Sequence, residues 1–353
     1  MRTRSSASSI LSALGRPTLG LMLAALANAA NASAAPTYTV LDLGVPDDST
    51  DPSLVQALGL NDLGEVTGQY ALSGGGQHAF LYSQGVMRDL GTLGGSSSVG
   101  FAVNASSQVT ASSGVSDSSS DEHAFLHNGV FMQDLGTLGG SVSQGRGINA
   151  SGEVTGEAAL DATVRHAFRF NGTFMEDLGV LDGSSSHGFA INDTGMITGG
   201  STSEAGPMHA FFYDGVQMHD LSTLGGAKSF GSSVNDDGLV VGTSDIDQTT
   251  LTHAFLWDGA MHDLNDLVTD LPPGVAIELQ SAQYGGSINQ SGQIAATGRY
   301  LSGGPQFAMR AFLLTPVPVP EPATTTSDAL APAALASIAV ARRRRGGIRQ
   351  PVS

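Results

Sequence analysis

From Tyr38 to about Pro318 the chain is written as short apolar runs of roughly five residues separated by turn formers, the pattern of strands. Within a run such as Glu153-Val154-Thr155-Gly156, apolar positions alternate with polar or small ones, a period of two. No window of this region sustains a helical period, which argues against ankyrin, tetratricopeptide and leucine-rich folds. The runs are of four kinds. The first ends in Asp-Leu, at Asp42, Asp89, Asp134, Asp177, Asp220 and Asp263. The second is a Gly-x-Ala/Ile-Asn run, such as Gly188-Phe189-Ala190-Ile191-Asn192, and the third follows Asn-x-x-Gly, as after Asn149-Ala150-Ser151-Gly152. The fourth opens His-Ala-Phe, at His78, His123, His166, His209 and His253, with a sixth copy reading Arg310-Ala311-Phe312. Successive copies start 45, 43, 43, 44 and 57 residues apart, a repeat architecture.

The turns connect these runs. Asn-x-x-Gly makes a tight hairpin between the second and third, since Asn suits the opening position and Gly takes the positive φ that closes it. Asn128-Gly129, Asn171-Gly172, Asp214-Gly215 and Asp258-Gly259 join the fourth run to the next Asp-Leu run. Four antiparallel strands in about 44 residues make the blade of a propeller. The repeats begin with Tyr38-Thr39-Val40-Leu41-Asp42-Leu43, which has no His-Ala-Phe run before it, and end with Arg310-Ala311-Phe312-Leu313-Leu314, which has no Asp-Leu run after it. Pairing these two orphans removes two sheet edges. The expected fold is therefore all-β: a six-bladed β-propeller of four-stranded antiparallel blades, the last closed by the N-terminal strand. A β-solenoid is the alternative, and it leaves both orphans unpaired. Module six carries an insertion from Asn265 to Ala282, expected to form a loop.

The flanks are of another kind, which divides the chain into 1–35, 36–318 and 319–353. Residues 1–35 read as a signal peptide: Arg2, Arg4 and Arg16, an apolar run at 19–27, and the small-residue cleavage pattern Ala32-Ser33-Ala34. An amphipathic helix of the folded domain is the competing reading, set aside because the repeats begin directly afterwards. The tail opens Val319-Pro320-Glu321-Pro322, continues for 19 residues without Lys or Arg, and reaches Arg342, Arg343, Arg344 and Arg345. Its apolar part at 329–341 is short of the roughly 20 residues a span needs. That predicts weak or transient membrane association, with the arginines on the cytoplasmic side.

Two resemblances rest on these motifs. The repeats resemble the family of extracellular repeats named for their His-Ala-Phe motif, over residues 38–315. Asp-Leu-Gly-Thr-Leu-Gly-Gly at Asp89 to Gly95 and Asp134 to Gly140 supports it, with Asp177 to Gly183 and Asp220 to Gly226 as variants. The resemblance implies a location outside the cell and no defined activity. The tail is similar to the PEP-CTERM sorting signal of Gram-negative bacteria, through Pro320-Glu321-Pro322, the stretch to Ala341, and Arg342 to Arg345. That implies export by such a bacterium, processing by an exosortase-type enzyme and a link to exopolysaccharide or biofilm matrix. Thr324-Thr325-Thr326-Ser327-Asp328 and the trailing Gly346 to Ser353 depart from the usual pattern. The competing reading is a disordered tail that happens to end in arginines.

Composition and charge narrow the partners. No cysteine is present among the 353 residues, so disulfides and thiolate chemistry are excluded. Residues 36–318 hold 7 basic side chains against 30 acidic ones, a net of −23. Such a surface repels nucleic acid and anionic lipid and suits cations or neutral partners, such as a polysaccharide or a surface protein.

The repeated chemistry is read structurally. Five histidines at the same point of five blades are spread around a ring and do not converge on one metal. They are expected to bridge adjacent strands, and His127, His187, His219 and His262 follow no shared pattern. The repeated Asp89, Asp134, Asp177, Asp220 and Asp263 are expected to accept backbone amides. No calcium-loop pattern, Gly-x-Ser-x-Gly elbow or His-Glu-x-x-His is present. Asn-x-Ser/Thr sequons at Asn104, Asn149, Asn171, Asn192 and Asn289 coincide with repeat turns and are read as turn chemistry. No catalytic, cofactor or metal residue is assigned. The function expected is a secreted, surface-associated, non-catalytic binding or structural protein. One rival is an extracellular polysaccharide hydrolase or lyase using unrepeated groups such as Glu278, Tyr284 and Arg299, with Glu278 placed in the inserted loop. Another is a calcium-stabilised adhesin.

Overall fold

The computed structural model describes residues 55–317 apart from 205, 248–250, 270, 272, 274–275, 282–287 and 303–308, together with Leu41 and Leu43. Ala32 and Ala34, expected to mark signal cleavage, Pro320, Glu321, Pro322 and Arg342 to Arg345, expected to form a sorting motif, and Tyr284 lie outside the described residues.

Six antiparallel sheets follow one another along the chain, five of four strands and one of three. They are the blades of a six-bladed β-propeller. Blade three is representative, with strands Ser143–Ile148, Val154–Ala159, Arg165–Phe170 and Met175–Asp177 in spatial order. The Asp-Leu run forms the outermost strand of the sheet that precedes it, and the Gly-Gly loop after it crosses to the next blade. In blades two to five this outer strand is three residues long, shorter than expected. In blades two and three the chain bends at once into a glycine of positive φ, Gly136 at 73° and Gly179 at 72°.

His-Ala-Phe makes sense once the faces are assigned. Ala and Phe are neighbours in one strand, so they point to opposite faces. Ala79, Ala124, Ala167, Ala210 and Ala254 are fully buried toward the following blade. Phe80, Phe125, Phe168, Phe211 and Phe255 are fully buried on the other face, and from Phe125 onward they pack on the preceding blade. Phe211 lies opposite Gly199, where a Cβ would run into its ring and into the carbonyl of His187, so glycine is required there. Five of the six apolar clusters sit between successive blades, and the core is therefore a ring of interfaces.

A second layer of ties is polar. Ser98, Ser143, Ser186 and Ser229, all buried, open the first strand of one blade and latch the blade before it. The Ser186 hydroxyl accepts from the Ala167 amide at 2.8 Å and donates to the Gly179 carbonyl at 2.5 Å, and the other three repeat this. At the opposite end, the Asn of Asn-x-x-Gly accepts amides of its own turn, two in five modules, as Asn149 does from Ser151 and Glu153, and one at Asn235, from Leu239. Its amide nitrogen reaches the next blade: Asn61 to the Asn104 carbonyl at 2.8 Å, then Asn104 to Asn149, Asn149 to Asn192, Asn192 to Asn235 and Asn235 to Asn289. This belt runs through all six modules and surrounds a depression of about 310 Å³ that residues from every module line.

Blade six differs from expectation. It has three described strands, Ala276–Ser281, Ile294–Ser302 and Met309–Leu314. The expected fourth strand falls outside the described residues except for Leu41 and Leu43, neither of which lies in a strand. Leu43 nonetheless packs against the cluster of Tyr70, Phe80 and Tyr82 in blade one, as Leu90 and Leu135 join the clusters shared with the blade after theirs. On the last blade Ala311 is exposed and Leu313 is 69% exposed, although their counterparts elsewhere are covered by a following blade. The insertion is not simply a loop. It begins in a short helix, Leu264–Leu267, and ends in the first strand of blade six. Leu279 fills the latch position there. Asn265 substitutes for the serine by bonding the amide of Leu279 at 2.6 Å and its carbonyl at 3.1 Å. Among the described residues no helix is long and apolar enough to cross a membrane.

Candidate functional site

The strand starts and loops at one end of the blades collect most of the titratable chemistry. Each repeated histidine is the second residue of its third strand there, and each repeated aspartate lies in the last part of the fourth strand beside it. His78 Nδ1 bonds Asp89 at 2.8 Å, His123 bonds Asp134 at 2.9 Å, His166 bonds Asp177 at 2.8 Å, His209 bonds Asp220 at 2.9 Å and His253 bonds Asp263 at 2.6 Å. Each aspartate also accepts a backbone amide two residues on: Gly91, Gly136, Gly179, Ser222 and Asn265. The pairs tie the outer strand to its blade and hold its bend. They stay on separate blades, and among the described residues no group of three or more His, Asp or Glu side chains could hold a metal ion.

His219 and His262 do share a pattern, contrary to the sequence reading. Both precede the repeated aspartate, and both turn back to the aspartate of their own hairpin, His219 to Asp214 at 2.8 Å and His262 to Asp258 at 2.9 Å. Sequence comparison of Met218-His219-Asp220 with Met261-His262-Asp263 contains that signal.

Two clusters break the repetition. In the first, Glu157 is buried at a position where blade two has Ser112 and blade four Gly200, and it faces blade four. His187 Nδ1 hydrogen-bonds its carboxylate, Arg165 lies at 3.3 Å and Arg146 at 3.7 Å. Burial pushes this carboxyl up, but the His187 bond and charge, with Arg146 and Arg165, outweigh it and hold the pKa below the usual range. Arg146 also stacks on Phe101, 4.9 Å from the ring centroid. The second cluster involves Glu278, which lies in a strand and not in a loop, opposite Arg299. Arg299 Nε meets it at 2.5 Å and His253 Nε2 at 3.6 Å. Burial raises its pKa and the Arg299 bond and charge, Gln280 and His253 together lower it further, so the net shift is downward. Both glutamates are therefore ionised near neutrality and already engaged by cations. Neither is poised as a general acid.

The sequence reading missed a pocket between blades one and two at this same end, of about 350 Å³. Its walls are the crossing segment at Ser96, Ser97 and Ser98 and the loop carrying Ser116, Asp117, Ser119, Ser120 and Asp121. Hydroxyl and carboxylate oxygens dominate it, and no aromatic ring lines it. The run Ser116-Asp117-Ser118-Ser119-Ser120-Asp121 is visible in the sequence, but it occurs in one module only and repeat alignment passes over it.

No protein-family profile matches the sequence, and no curated protein matches it. Among solved structures the chain aligns with TolB from Acinetobacter baumannii at 11% identity and a TM-score of 0.40, over 59% of this chain and 53% of that one. It aligns with the β-propeller domain of the Trilobed protease from Pyrococcus furiosus at 13% identity and a TM-score of 0.43, over 61% and 69%. A TolB candidate from Agrobacterium tumefaciens aligns at 14% identity and a TM-score of 0.45, over 75% and 91%. The chain thus spans about half the length of the Acinetobacter protein it matches.

Proposed function

We propose that the protein is exported, remains at the cell surface or in the extracellular matrix, and acts there as a non-catalytic binding component for a hydroxyl-rich polymer, a polysaccharide of that matrix. The observation that carries this reading is the serine- and aspartate-lined pocket between blades one and two. Its oxygens can donate and accept hydrogen bonds with sugar hydroxyls, and its acids favour neutral or amino sugars over uronic acids. The sorting-type tail, with Pro320-Glu321-Pro322 ahead of Arg342 to Arg345, supports delivery by an exosortase-type route. The repeated histidines and aspartates are engaged with each other, and Glu157 and Glu278 with arginines, which favours binding over turnover.

The test is retention of the full chain on exopolysaccharide from the producing cells, with release of reducing ends followed in the same tube. Retention without release is expected, and Asp117→Ala combined with Asp121→Ala should lower it at least tenfold. Sugar release would make the protein a hydrolase or lyase. Failure to be retained would remove polysaccharide as the ligand.

A further inference from the structure

In every four-stranded blade the turn between strands one and two and the turn between strands three and four lie at the same end, because the strands alternate in direction. This is the end opposite the pocket and the His–Asp pairs. Its outer hairpin tips carry apolar side chains that no described residue covers fully: Val86 at 53% exposure, Val130 at 87%, Phe131 at 57%, Phe174 at 58% and Val216 at 83%. They fall just after the turn in four consecutive blades. Single exposed apolar residues are ordinary. The same exposure at the same point of successive blades makes a set of apolar points on one side of the molecule.

Strand Met309–Leu314 runs toward this end, and Gln293, just after the Asn289 turn, bonds Thr315 at 3.1 Å. The backbone leaves through Pro316 and Val317, the latter 74% exposed. Residues 318–353 follow, including the stretch at 323–341 without Lys or Arg and the four arginines after it. The point where the chain passes into the tail and the apolar tips therefore share one side. A second copy of this chain is the poorer occupant, since Asp62, Asp193, Asp214, Asp236 and Asp258 sit in turns of the same end and would face their own kind.

We propose that this end of the propeller rests on a lipid bilayer of zwitterionic headgroups, with Val130, Phe131, Phe174 and Val216 inserted at the interface beside the point where the tail enters. The opposite end, with its serine-lined pocket, then points away from the membrane. Shallow insertion of Phe and Val among headgroups is how interfacial segments bind, and a net-neutral lipid surface avoids the repulsion an anionic one would impose.

The test is co-sedimentation of the full-length protein with phosphatidylcholine vesicles. The fourfold variant Val130→Ser, Phe131→Ser, Phe174→Ser and Val216→Ser should keep its melting temperature, because these side chains bury little, and should lose at least tenfold in partitioning. Val130→Phe should raise partitioning. Unchanged partitioning in the fourfold variant overturns the proposal. So does a wild-type dimer in sedimentation velocity that the variant abolishes, without vesicle binding. Retention on polysaccharide is expected to be the same in wild type and variant, so failure here and failure of the binding reading are told apart.

Discussion

Ser186→Ala is expected to damage the protein more than His166→Ala, although the histidine belongs to the conspicuous motif. Ser186 is fully buried, and its hydroxyl is the partner of both the Ala167 amide and the Gly179 carbonyl. Removing it leaves a buried amide without a partner at the joint of two blades, which costs about 1–3 kcal/mol. His166 Nδ1 hydrogen-bonds Asp177, whose side chain is 38% exposed and keeps the Gly179 amide. A pair this open to water contributes about 1 kcal/mol or less. Urea titration of the full chain, followed by circular dichroism and by the single tryptophan, Trp257, reads both variants; its ring lies 5.1 Å from Phe212 across the next blade interface. At equal slopes, the midpoint of Ser186→Ala should fall well below that of His166→Ala. An equal or reversed order would refute the view that the serine latch holds the blades together more than the His–Asp pair does.

Two further outcomes follow from the packing and the charges. Gly199→Ala should destabilise by about 1–3 kcal/mol or more, because the new methyl meets the His187 carbonyl and the Phe211 ring, whereas Gly74→Ala, with open space around it, should be near neutral; thermal melts compare the two. Glu157 and Glu278 have folded pKa values below their unfolded ones. Their stabilisation is therefore complete above the unfolded value of about 4.3 and is lost as pH falls below it. Melting temperature should be nearly flat from pH 7 to 5 and fall steeply below about pH 4.5, and Glu157→Gln should flatten that acid limb at the expense of stability at pH 7.

The sequence by itself determined the repeat, and the repeat determined the blade. Turn residues such as Asn128-Gly129 place hairpins locally, and alternation assigns faces, so neither needs distant contacts. Part of the candidate site was legible in the same way. The spacing from His78 to Asp89 recurs from His123 to Asp134, from His166 to Asp177 and from His209 to Asp220, and a constant offset across one hairpin signals a pair. The serine latch was legible only as a faint Ser-x-Gly at Ser98, Ser143, Ser186 and Ser229, because its partner lies on another sheet.

What the tertiary structure alone decided concerns contacts between blades. Glu157 looks like any surface glutamate in sequence; Arg146 and Arg165 reach it from the neighbouring strands of its own blade, and His187 only after blades three and four pack. The insertion in module six was expected to form a loop, yet it supplies an inner strand that pairs with Ile294–Ser302. The pocket at Ser96 and Asp117, at one end, and the set of exposed tips at Val130, Phe174 and Val216, at the other, likewise arise only when loops from separate modules become neighbours. Local sequence can specify a turn or a face because the forces act within a few residues. The surroundings of a side chain depend on which strands become neighbours, and that is settled by burial over the whole ring.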